Sequence, residues 1–240
     1  MSSTIISTTT FTAPVVTIHG ESAGMDVTIP AEATTLEGFR GWAKSDAFPQ
    51  RGEVSFIVGE VLVDMSPENF DLHNFLKGEI SSSLRNLVRQ RNLGRFFFDR
   101  CLFTNADAVL STEPDAMFLS YESYQAGKAK YVESRMSRGS YVELIGSPDW
   151  ALEIVSPSSS KKDKHLLRKA YYRAGVNEYW IVDATGDDVE FTVLVRGKSG
   201  FVAVRPRDGW HQSPTFGAAF QLSRSKAKDG LWDYALNVNE

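Results

Sequence analysis

The run Pro148-Asp-Trp-Ala-Leu-Glu-Ile-Val155 constrains the fold of this chain more than any other stretch. Its apolar, aromatic and β-branched residues mark a buried strand. Consecutive strand residues face opposite ways, so Asp149, Ala151, Glu153 and Val155 share one face and Trp150, Leu152 and Ile154 the other. Glu153 is therefore a carboxylate inside a buried strand. Such a group is costly unless it is ion-paired, protonated or metal-bound. Asp149 lies roughly 13 Å from it along an extended chain, too far for both to hold one ion. The natural partner is Asp115, on a second Pro-Asp segment, Glu113-Pro-Asp-Ala-Met-Phe-Leu119. Adjacent strands lie about 5 Å apart, close enough for Asp115 and Glu153 to chelate one hard divalent cation through oxygen.

A helix from Ser160 to Ala174 follows and carries Lys161, Lys162, Lys164, Arg168, Lys169 and Arg173. Strand-borne carboxylates beside a cationic helix suit the metal-dependent cut of a phosphodiester, the cations meeting the substrate's phosphates. Net charge is −4, so any nucleic-acid contact must come from local patches, here Lys161, Lys162, Arg168 and Lys169, or the arginines at 85, 89, 91 and 95. Plain structural readings compete. Asp after Pro commonly starts a strand or caps a turn, which suits Asp149 best. Ser160 with Asp163 reads as a helix-opening signal, and the lysines of this helix read as a solvated face. Tyr171, Tyr172, Tyr179 and Trp180 read as core.

Elsewhere the pattern is mixed α/β: a central sheet flanked by two principal helices, with a β-rich C-terminal part. Residues 1–32 are rich in Ser, Thr, Ala and Pro and read as a flexible arm with one short strand near Val15–Ile18; residues 33–240 read as a single domain. A short helix is expected over Thr35–Ser45. Val54–Val58 and Val61–Met65 flank Gly59-Glu60 as a hairpin. Leu72, Phe75, Leu76, Ile80, Leu84, Leu87 and Val88 recur at helical steps over Asn69–Leu93. Residues 127–139 read as an exposed basic excursion. The single cysteine, Cys101, rules out an internal disulfide or a cysteine-based zinc site and fits a reducing cytoplasm. No window is apolar enough to span a membrane.

Several of these stretches, taken in order, resemble the Uma2-type restriction endonuclease family, a branch of the PD-(D/E)XK nuclease superfamily. They are Gly59-Glu60-Val-Leu-Val-Asp-Met-Ser-Pro67, His73, Glu113-Pro-Asp115, Pro148-Asp149 with Glu153 and Ser156-Pro157, Asp163, Tyr171-Tyr-Arg-Ala-Gly-Val176 and Glu178-Tyr-Trp-Ile-Val-Asp183. The resemblance covers about residues 52–205. It implies a restriction-endonuclease-like fold, Mg²⁺ (or Mn²⁺) as cofactor and DNA as substrate. It makes Asp115 the motif aspartate and Glu153 the acidic position, both as metal ligands. His73 would be the helix histidine that orients a water or a carboxylate. The motif lysine would fall at Val155 or, as in some members, four residues after Asp163, at Leu167. Both places are apolar. On an ideal helical wheel Lys164 lies nearest the core stripe of this helix and is the expected substitute. Glu60, Asp149, Asp163 and Glu79 are second-line acidic candidates.

Three function classes follow: a metal-dependent DNA endonuclease, a nuclease-fold binding or regulatory protein whose site has decayed, and a hydrolase of small phosphoesters. Double-strand cutting would favour a two-fold homodimer.

Overall fold

The strand that carries Glu153 lies in the middle of the molecule. The structure, a computed structural model, describes residues 16–18, 27–134 and 137–239. Most of the expected N-terminal arm lies outside these residues. Its described parts, β1 (Val16–Ile18) and β2 (Val27–Ile29), pair antiparallel. One six-stranded sheet has the order β4 (Glu60–Asp64), β3 (Glu53–Ile57), β7 (Leu110–Thr112), β6 (Leu102–Asn105), β10 (Tyr141–Gly146), β9 (Ala129–Glu133). A second has the order β14 (Phe201–Ala203), β13 (Glu190–Arg196), β12 (Glu178–Asp183), β11 (Trp150–Val155), β8 (Ala116–Ser120), β5 (Gly94–Phe98). The C-terminal part is a three-stranded antiparallel sheet, β15 (His211–Ser213), β16 (Ala218–Lys226) and β17 (Trp232–Asn239). The helices are α1 (Leu36–Ala43), α2 (Phe75–Gln90), α3 (Tyr121–Gln125) and α4 (Arg168–Ala174). Both α2 and α4 are entered through a π-helical turn, Phe70–Asn74 and Lys162–Leu167 respectively.

The fold is thus the expected mixed α/β architecture with a β-rich C-terminal part. The division of the strands between two large sheets is not visible in the sequence pattern. The two faces of β11 explain how the layers assemble. Ala151 and Val155 pack with Met117 and Leu119, the first sheet, and Leu167, Ala170 and Tyr171 of the α4 segment. Trp150, Leu152 and Ile154 pack with Leu76, Ile80 and Leu84 of α2 and with Phe216 and Phe220 of the C-terminal part. The hydrophobic effect drives both layers, since each face of β11 is apolar except at its carboxylates.

Connections then fix the register. Strand β11 runs parallel to β12 through the α4 crossover, as parallel neighbours require. Gly175 ends α4 with φ +92°, a left-handed conformation natural to glycine, and the Val176 N–H closes the turn on the Tyr171 carbonyl (3.0 Å). On its other side β11 pairs antiparallel with β8, Leu152 opposite Ala116. One residue before Ala116, Asp115 accepts a hydrogen bond from the Ile154 N–H (2.7 Å), next to Glu153.

The segment expected as an exposed excursion contains β9, the edge of the first sheet, paired antiparallel with β10. Its alternation of buried Ala129 with exposed Lys130 is the usual charged protection of an edge strand. Among the described residues no helix is long and apolar enough to cross a membrane.

Candidate active site

Asp115 sits just before β8 and Glu153 on β11, each only 3 % exposed. The Ile154 N–H donates to Asp115 Oδ2 (2.7 Å). The other oxygen, Oδ1, lies 3.5 Å from both His73 Nε2 and Lys77 Nζ. Spaced four residues apart, His73 and Lys77 reach the same carboxylate from one side of the α2 segment. Burial pushes the Asp115 carboxyl up, but His73, Lys77 and the Ile154 N–H outweigh it and hold it below the ordinary range. Burial alone would lower the His73 imidazole; the adjoining Asp115 carboxylate instead raises it to about 9. His73 Nδ1 faces Glu68 Oε1 at 3.0 Å. Lys77 also bridges Glu68 (2.8 Å) and Asp99 (3.2 Å).

Glu153 has a different neighbourhood. The Tyr171 hydroxyl donates to its Oε1 (2.5 Å). Burial, then the charge of Asp163, pushes the Glu153 carboxyl well above its ordinary value, with Lys162 opposing. Asp163 is itself buried and accepts from the Ser159 hydroxyl at Oδ2. Its Oδ1 makes no hydrogen bond and lies 3.6 Å from Lys162 Nζ. Burial raises Asp163 to about 7 against the pull of Lys162. Lys162 turns inward and binds Glu53 at the start of β3. Glu153, Asp163 and Glu53 thus gather round one ammonium, with Asp115 adjoining.

The carboxylates lie one layer behind a cleft of about 630 Å³. Its walls include His73, Lys77 and Glu113, which adjoin Asp115, and Val155, two residues beyond Glu153. Arg51 and Arg100 stand on its rim, their side chains without a hydrogen bond or ion pair among the described residues. Asp64, at the end of β4, lines the same cleft and accepts from the Ser158 hydroxyl (2.6 Å).

The remaining candidates lie apart. Lys164 pairs with Asp183 (2.6 Å) and Glu190 (3.4 Å) on the outer flank of α4. The lysine beside Glu153 and Asp163 is Lys162. The π-helical turn Lys162–Leu167 is the reason: its wider winding displaces residues from their places on an ideal α-helical wheel. Asp149 is buried and fully engaged, accepting from the Ser120 N–H (2.7 Å), the Ser123 hydroxyl (2.6 Å) and the Asn177 amide (3.0 Å). Glu60 is exposed at the hairpin end of β4, four residues from Asp64. Glu79 accepts from the Leu236 N–H (2.9 Å) and ties α2 to β17. Val155 and Leu167 are buried in the core. Of the basic residues, Arg168 donates to the Phe201 carbonyl (3.0 Å), while Lys161 and Lys169 are exposed. Sequence reasoning missed Lys77, Glu53, Glu68 and Asp64. The i, i+4 spacing of His73 and Lys77 was the available signal for the first.

A family model described as "Putative restriction endonuclease", Uma2, matches residues 37–225. The crystal structure of "a putative nuclease belonging to DUF820" from Anabaena variabilis is similar in fold, with a TM-score of 0.54 and 20 % identity over 76 % of this chain and 90 % of that one. No curated protein matches the chain. The family match covers most of the chain, and the protein belongs to the Uma2 family of the restriction-endonuclease-like group.

Proposed function

We propose that this protein is a metal-dependent endonuclease that hydrolyses DNA phosphodiester bonds at the Asp115–Glu153–Asp163 cluster, with Lys162 as its lysine. One observation carries the reading. Glu153 and Asp163 are buried beside a single lysine, Lys162, which is already bound to Glu53, and Asp163 Oδ1 is left without a hydrogen bond. Buried charge without compensation is unfavourable, so such a cluster holds a proton or a bound cation, and a cation that displaces the proton completes it.

The donor chemistry fits Mg²⁺ or Mn²⁺: all-oxygen, anionic and hard. Asp115 and Glu153 would hold the ion, with Asp163 beside them. Among the described residues no three such side chains form a ready-made ligand shell, so loading requires Asp115 to exchange its contacts with His73 and Lys77. The chemistry such an ion supplies is charge stabilisation on the phosphate and a lowered pKa for water. The chain's own residues do the rest. The Tyr171 hydroxyl orients Glu153, the Ile154 N–H orients Asp115, and Lys162 offers its ammonium to phosphate oxygens. Arg51 and Arg100 draw phosphates to the cleft rim.

The reading is tested by plasmid nicking in Mg²⁺ or Mn²⁺ with wild type, Asp115→Ala and Glu153→Ala. Loss of metal-dependent nicking in both variants is expected; nicking that survives both removes this site. A decayed, non-catalytic scaffold is favoured by one feature, the engagement of both Asp115 oxygens by protein groups. Wild type that neither nicks nor binds metal would select it.

A further inference from the structure

A second, shallow groove of about 560 Å³ opens along α2 and shares two walls, Lys77 and Asp99, with the cleft. Three features of it serve no purpose inside the fold. Gly78 lies in the middle of α2, where glycine weakens a helix relative to alanine. Nothing lies within 4 Å of where its Cβ would be, so no packing demands a glycine there. Ser81, 4 % exposed, lies along the groove, and its hydroxyl is buried without a hydrogen-bond partner. Phe98 is 46 % exposed on β5, the edge strand of the second sheet, and also lines the groove.

The charge is disposed to match. The Arg85 side chain lines the groove and makes no hydrogen bond or ion pair among the described residues. Arg89 follows one turn later on the same side of α2, exposed and equally free. Three of the basic residues after β11 contrast with them, while Lys161 and Lys169 are exposed. Lys162, Lys164 and Arg168 are engaged by Glu53, Asp183 and the Phe201 carbonyl.

We infer that this groove is the track for one nucleic-acid strand leaving the cleft, its phosphates on Arg85 and Arg89 and a base against Phe98. The missing side chain at Gly78 lets the strand's backbone approach the helix. The inference rests on the nuclease reading and adds to it a route for the substrate. An exposed aromatic ring beside free arginines suits an unpaired strand, because every base offers a face for stacking.

Fluorescence anisotropy tests this with a labelled duplex carrying a single-stranded tail, in EDTA, over a salt series. Each lost phosphate contact lowers the slope of log K against log salt by about 0.7–0.9. Arg85→Ala/Arg89→Ala is expected to lower it by nearly 2 and to weaken binding at least tenfold. Phe98→Ala weakens binding of the tailed duplex more than that of a blunt one. Gly78→Leu is expected to weaken binding about tenfold with no fall in melting temperature, which separates blockage of the groove from misfolding. Binding unchanged in both Arg85→Ala/Arg89→Ala and Gly78→Leu would overturn the inference. So would a loss confined to Lys161→Ala/Lys169→Ala. If wild type binds DNA through the groove but never cuts it, the nuclease reading fails and the groove stands. If wild type shows no salt-dependent binding, both fail.

Discussion

Two buried acids of the β11 segment, Asp149 just before the strand and Glu153 within it, meet different neighbours. Asp149 is met by three neutral donors, the Ser120 N–H, the Ser123 hydroxyl and the Asn177 amide. Four residues on, Glu153 receives one hydroxyl and otherwise faces other carboxylates and a single lysine. Both are buried, Asp149 one residue before the apolar strand and Glu153 inside it. The difference shows that burial alone does not mark a functional acid; the mismatch between a buried charge and its partners does.

The contrast can be broken by substitution. Glu153→Gln keeps the volume and removes the charge. It should lower metal-dependent cleavage about a thousandfold, on the order of 4 kcal/mol of barrier, while the urea midpoint stays level or rises. Asp149→Ala should do the reverse: about 3 kcal/mol of stability lost, because buried donors are orphaned, with cleavage per folded molecule retained. If Asp149→Ala abolished cleavage in fully folded protein, the division between the two acids would be wrong.

Lys162→Ala should reduce cleavage about tenfold or more, and Lys162→Arg should restore part of it. The outer lysine sharpens the point. Lys164→Ala removes a partly exposed pair with Asp183 and should cost only about 0.5 kcal/mol, with cleavage unchanged. Equal losses of activity in the two variants would remove the distinction between them.

A further structural acid supplies a pH test. Glu143 on β10 is buried between Arg40 and Lys44 of the α1 region (each 2.6 Å). Burial pushes its carboxyl up, but Arg40 and Lys44 outweigh that and hold it below its ordinary value of 4.5. The stabilisation is therefore complete above about that pH and is lost as pH falls through the lowered folded value. Acid titration of the urea midpoint should fall more steeply for wild type than for Glu143→Gln. Parallel curves would show that the cluster contributes nothing to acid sensitivity.

Much of the fold could be read from periodicity. The helix over the Leu72–Val88 stripe, the strand Trp150–Val155 and the 53–64 hairpin follow directly from 3.6- and 2-residue repeats. What escaped was short or charged. Five-residue α3 has too few positions for a stripe, and β9 carries edge-strand charges that read as loop. That Asp115 lies near Glu153 could be inferred from the order of the two Pro-Asp segments and strand alternation, which fixes which way a side chain points. The lysine beside them could not, because the π-helical turn at Lys162–Leu167 departs from the ideal α-helical wheel that points to Lys164. Lys77, Glu53 and Asp64 enter the site only through tertiary contact, which no local pattern encodes.

Metal-induced stabilisation tests the central claim most directly. Mn²⁺ should raise the melting temperature of wild type and of Asp149→Asn increasingly with concentration, as binding to the native state requires, and should leave Glu153→Gln unmoved. An equal rise in Glu153→Gln, or none in wild type, would contradict a cation-seeking pocket at Glu153.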